Sequence, residues 1–136
     1  NGIMFHSQPA HTMEFNQHFP ISVEAQLLGG SGEGERPTLG VCTPGTSVEV
    51  EGVRIDAHCT NSRAKTFHGD NWIQMELVVY GDSLVHHIVE GDTVLTYGNI
   101  LLEDSGLPLQ EGYIALQSES HPTEFRNIRL LNLKQP

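Results

Sequence analysis

The chain has 136 residues, 38% of them apolar, with 14 Gly besides, which suits one domain with a buried core and leaves little room for two. Seven Lys and Arg stand against 17 Asp and Glu, a net charge of −10, so the basic footprint that a nucleic-acid binder needs to displace counterions is absent and anionic membrane surfaces are disfavoured. The apolar runs are a few residues long, far below the roughly 20 needed for a bilayer span.

The chain opens at Asn1-Gly2, with no initiator Met or signal segment, and runs directly into strand-like Ile3-Met4-Phe5-His6. Such an abrupt start suggests an upstream part that is processed or left out. Residues 21–27 alternate with period two. Ile21, Val23, Ala25 and Leu27 share one face, and Ser22, Glu24 and Gln26 share the other. The Gly-rich stretch 29–40 reads as a long loop, either a binding loop or a surface excursion. Residues 72–80 alternate again, with Trp72 expected in the core. Gly81-Asp82 then turns into 83–89, and Glu90-Gly91 turns into 92–97, which together describe a meander. A final strand pair is expected at 112–118 and 124–133. No window carries a 3.6-residue apolar period, so the pattern predicts an all-β sandwich or barrel.

Eight His are present, yet none of the zinc spacings is. His11 and His18 lie in a polar segment and are expected at the surface. Cys42 and Cys59 admit three readings: a disulfide, two free thiols, or a Cys/His zinc cluster with His58 and His68. A disulfide closing about 17 residues would contribute roughly 3 kcal/mol and would imply an oxidising compartment.

No strand carries the Glu-x-Asp-x-x-Glu pattern of laminarinase-like sandwiches, and a retaining glycosidase needs two carboxyls about 5–5.5 Å apart. Conventional glycoside hydrolysis is therefore disfavoured. Glu24 and Gln26 share a polar strand face, which is a solvated outer surface unless it lines a cleft. His87 shares a face with Val85 and Val89, a pattern common to satisfied core histidines as well as catalysts. His86 lies opposite, with Leu84 and Ile88. Gln117 and Glu119 share a face beside Ser120-His121-Pro122.

The string from Gly112 to Arg129, Gly-Tyr-Ile-Ala-Leu-Gln-Ser-Glu-Ser-His-Pro-Thr-Glu-Phe-Arg-Asn-Ile-Arg, resembles the closing signature of the 3-keto-disaccharide hydrolase domain family. Three further segments match in order. Asn1 to Gln8 is similar to the family's Asn-x-Gly-hydrophobic strand, and Val23-Glu24-Ala25-Gln26-Leu27 to its Glu-x-Gln strand. Trp72 with His87-Ile88-Val89-Glu90-Gly91 resembles its Trp…His-x-x-Asn-Gly meander, with Glu90 in place of Asn.

The resemblance implies a single domain over residues 1–136, a concanavalin A-like β-sandwich (jelly roll) lacking its N-terminal strands, in a secreted or periplasmic bacterial protein. A missing edge strand would favour homo-oligomers. It also implies an oligosaccharide or 3-keto-sugar substrate. A ketone at C3 acidifies the C2 proton, so a single base can start β-elimination at C1, and water then adds back.

On this reading Glu24 or His87 is the base and the other the acid or a ligand. Gln8, Gln26, Gln117 and Glu119 contact the sugar. His6, or a bound divalent cation such as calcium, polarises the ketone. No organic cofactor is expected. The alternative is a non-catalytic, lectin-like carbohydrate-binding module, which would display exposed aromatics. With 7% aromatics and one Trp, the composition favours the enzyme.

Overall fold

The protein is described over residues 1–133 by a computed structural model. Its strands are β1 (Gly2–Ser7), β2 (Val23–Gln26), β3 (Gly40–Cys42), β4 (Thr46–Val50), β5 (Val53–Arg54), β6 (Cys59–Thr60), β7 (Met75–Tyr80), β8 (Leu84–Val89), β9 (Asp92–Leu102) and β10 (Tyr113–Gln117). They form two five-stranded antiparallel sheets, β10-β1-β2-β3-β6 and β5-β4-β9-β8-β7. A single 3₁₀ turn, Ala10–Thr12, is the one helical element among the described residues. The expected all-β sandwich is what forms.

Alternation builds the core. Phe5, Val23 and Val41 of the first sheet meet Val48, Val85, Leu95, Tyr97 and Ile100 of the second, all essentially dry. A second cluster joins Ala25 and Leu39 to Val89 and Val94. Each fully buried large side chain contributes about 1.5–3 kcal/mol relative to exposure. The meander follows the predicted order β7-β8-β9. Between β8 and β9 the two-residue loop has Glu90 at φ 49° and Gly91 at φ 88°, the type I′ pattern that matches strand twist.

Several expectations need correction. Residues 124–133 form no strand: no ladder partner receives them, and Ile128, Leu130 and Leu131 stay exposed. Trp72 precedes β7 rather than opening it and is 48% exposed. Its ring is covered by the Arg126 guanidinium, 3.9 Å from the centroid, instead of by the core. The strand at 21–27 contracts to β2, because Ile21 and Ser22 bond instead to Gln8 and Pro44. Strands β3, β5 and β6 carry only two or three residues, too few for a visible alternating pattern, whereas β4 alternates Thr46, Val48 and Val50 with Ser47 and Glu49 and was not among the expected strands.

Cys42 and Cys59 face each other across β3 and β6 and are joined as a disulfide, which leaves no thiol for a zinc cluster. Reduction should cost about 3 kcal/mol of stability, since the bridge closes a long loop of the unfolded chain. Urea unfolding with and without reductant checks this; an unchanged midpoint would contradict it.

Candidate functional site

The face of the first sheet that points away from the second sheet carries two rows of side chains. In antiparallel register one row reads Ala115–Met4–Glu24–Cys42–Cys59, and the next reads Gln117–Gly2–Gln26–Gly40. This face holds Glu24, Gln26 and Gln117 together, three of the residues expected at the site. Gly2 is what permits it. A Cβ there would collide with Glu24 Oε1, so the missing side chain leaves the space in which the carboxylate lies. Because Gln26 and Gln117 are the cross-strand neighbours of Gly2, the carboxylate and two carboxamides gather around one gap.

Outer strand faces are ordinarily solvated, yet Glu24 is only 6% exposed. Burial raises its carboxyl above the ordinary carboxylate range, and the Glu119 charge adds to that shift. Glu119 is held near by Asn1. Its N–H donates to Asn1 Oδ1 (2.8 Å), while Asn1 O accepts from Leu27 N (2.7 Å) just past β2. Gln117 Oε1 is buried with no hydrogen-bond partner among the described residues, an acceptor left open on the same face. Asn1 and Gly2 thus shape the site in ways that the sequence signals only through their motif.

His87 lies elsewhere, which corrects its expected pairing with Glu24. It points from β8 into the space between the sheets, fully buried. Nδ1 donates to Leu39 O (3.0 Å), and Nε2 accepts from the Tyr97 hydroxyl (2.8 Å). Both nitrogens are occupied and the first sheet separates the ring from Glu24, so His87 reaches no substrate on the outer face. Desolvation lowers its pKa to about 4, with the bond to Leu39 working in the opposite direction.

His6 also departs from expectation. It occupies a bulge in β1 at φ 49°, and its Nε2 donates to Gly81 O (3.0 Å) in the turn between β7 and β8. Gln8 spends its amide within the 8–21 loop, donating to Thr12 Oγ1 and accepting from Gln17 Nε2 and Ile21 N. His86 bonds Thr96 Oγ1 at 2.9 Å. Among the described residues no three His, Cys, Asp or Glu side chains converge on one point.

A family model matches residues 1–131, nearly the whole chain, under the description 3-keto-alpha-glucoside-1,2-lyase-like domain. The chain belongs to that family. No curated protein and no solved structure matches it. Membership makes this a domain of a carbohydrate-active family. No helix among the described residues is long and apolar enough to cross a membrane.

The His87 network makes stability depend on pH. The ring is harder to protonate folded than unfolded, so stability is full above about pH 6.5 and declines as pH falls towards 4. The loss from this group reaches about 3 kcal/mol. Unfolding midpoints across that range, with NMR titration of the His87 ring, test it; a ring titrating in the ordinary histidine range would contradict the buried arrangement.

Proposed function

We propose that the domain cleaves 3-keto-glycosides by elimination and hydration, with Glu24 as the base. The carrying observation is a single buried carboxylate, without a hydrogen bond among the described residues, set over the Gly2 gap between two carboxamides. Glu24 removes the proton from C2 of a sugar already oxidised at C3, giving the enolate. The C1–O bond then breaks, leaving a C1–C2 double bond conjugated with the C3 ketone. The departing oxygen takes a proton from water, the hydroxide so formed adds at C1, and Glu24 returns its proton to C2, so that the net change is hydrolysis. Gln26 donates to the enolate oxygen and Gln117 Oε1 accepts a sugar hydroxyl.

One base and polar stabilisation suffice here, because no oxocarbenium ion forms and no carboxylate dyad is required. A raised Glu24 pKa suits this role, since a base is most effective near the operating pH. The Cys42–Cys59 disulfide supports an extracellular or periplasmic setting. A second reading, the non-catalytic carbohydrate-binding module, draws on the exposed Trp72, Tyr80 and Tyr113.

Turnover of a chromogenic 3-keto-α-glucoside beside its unoxidised parent separates the two readings: cleavage of the keto-sugar alone supports the enzyme, and binding without cleavage of either supports the module. Glu24→Gln should lower the rate about a hundredfold or more. Gly2→Ala should lower it as well by displacing the Glu24 carboxylate, with circular dichroism unchanged because Gly2 lies outside the left-handed region. The reaction needs ionised Glu24. Its rate should therefore rise with pH through that group's elevated pKa, level off above it, and show the acidic limb above the ordinary carboxylate range. Full activity in Glu24→Gln would exclude Glu24 as the base.

A further inference from the structure

Glu24 has a glycine neighbour on each side of it on the outer face. In the register of the first sheet Gln26 pairs with Gly2 of β1 and with Gly40 of β3, two residues along from the Met4 and Cys42 that pair with Glu24. Gly2 and Gly40 are therefore its diagonal neighbours, roughly 7–8 Å away and within reach of a long side chain. Each lacks a Cβ, so each position is a recess in the row. The Glu24 carboxylate lies in the one at Gly2.

The recess at Gly40 is closed by backbone. A Cβ on Gly40 would stand 2.6 Å from Thr60 O and 3.4 Å from Asn61 Cα, so the chain leaving β6 crosses the outer face there. The ladder that holds β6 is short. It is an edge strand of two residues, Cys59 and Thr60, paired with Cys42 and Val41. Thr43 adds bonds from its N–H (3.0 Å) and hydroxyl (3.3 Å) to His58 O, and Ser62 Oγ donates to Thr38 O just beyond. The covalent tie is the Cys42–Cys59 bridge, which stands in the Glu24 row itself because Cys42 is the cross-strand partner of Glu24. Cys42 is buried, whereas Cys59 is exposed to solvent. In these rows β1, β3, β6 and β10 present uncharged side chains, and Glu119, just past β10, brings the neighbouring charge.

We propose that the Cys42–Cys59 bridge is a positioning element for Glu24: by clamping β6 over Gly40 it shuts the second recess and confines the carboxylate to the one at Gly2. With the bridge open, β6 lifts and the carboxylate divides between two recesses, the new one open to water. A dithiol brings this about by giving two electrons and two protons to the bridge, which leaves Cys42 and Cys59 as thiols and the reagent as a disulfide. Cys59 is the exposed member at which exchange starts. The reaction rate is thereby tied to the redox state of a bond that takes no part in the chemistry. The effect on rate rests on Glu24 as the base; the effect on the carboxyl itself does not.

The test follows the Glu24 carboxyl by NMR titration, and turnover of the chromogenic 3-keto-α-glucoside, on the full chain before and after reduction with dithiothreitol. Reduction should move the Glu24 titration down towards the ordinary carboxylate range and lower kcat about tenfold with KM little changed, as misplacing a reacting group does. A lower unfolding midpoint with titration and kcat both unchanged would make the bridge a staple only and overturn the proposal. Gly2→Ala gives a second measurement with the bridge intact, for which the reduced chain need not fold. With Gly40 closed the displaced carboxylate has no other recess, so it should titrate in the ordinary range; a titration still elevated would overturn the proposal. If the native protein turns over no keto-glucoside, the Glu24 chemistry fails and the two titrations alone decide the positioning.

Discussion

The buried hydrogen bond from His87 Nδ1 to Leu39 O ties the two sheets together, and the outer face depends on it. Leu39 sits in the left-handed region at φ 54°, an unfavourable place for a side chain with a Cβ. Its carbonyl is held by His87 from across the core, and its N–H donates to Gln26 O at the end of β2. The residue after it, Gly40, is the β3 neighbour of Gln26. A bond made in the interior thus fixes the strand that carries Glu24 and Gln26. The arrangement requires a neutral imidazole, because one nitrogen must donate to the carbonyl while the other accepts from Tyr97. Complete burial keeps it neutral and holds the Tyr97 phenol protonated, its pKa pushed well above the usual value.

With the layers locked, the outward face of one sheet can carry polar side chains without cost to the core. A carboxylate in the open would be an ordinary solvated acid. Glu24 is withdrawn from water without being moved into the core, because Gly2 leaves a space into which it folds and Met4 and Cys42 flank it in the same row. The Cys42–Cys59 bridge extends that row to β6. Desolvation and the nearby Glu119 both disfavour the charged form, giving a base stronger than a surface glutamate.

Much of this was legible in the sequence, and unevenly so. The strands β1, β2, β7, β8 and β10 and the turn at Glu90-Gly91 were predicted, since alternation and turn residues are local properties. The grouping of Glu24 with Gln26 follows from period two alone. Gln117 joins them through register with β1, which residue types do not encode. His87 is the instructive failure: its motif match suggested catalysis, while its position between Val85 and Val89 agreed equally with the core. Only the placement of Leu39 O and the Tyr97 hydroxyl decided between them. Trp72 failed in the opposite direction, because alternation continued past the true start of β7 and the ring found Arg126 before it found the core.

The sequence by itself determined the class of the fold, the polarity of its long alternating strands and the net negative charge. These depend on side-chain period and summed charge, which need no knowledge of neighbours. The tertiary structure alone decided which polar face is sheltered, that His87 is buried between the sheets, and that the register of β1 with β10 shifts by one residue between Met4 and Ser7. Those outcomes depend on register between strands far apart in the chain, and a shift of one residue exchanges core for surface.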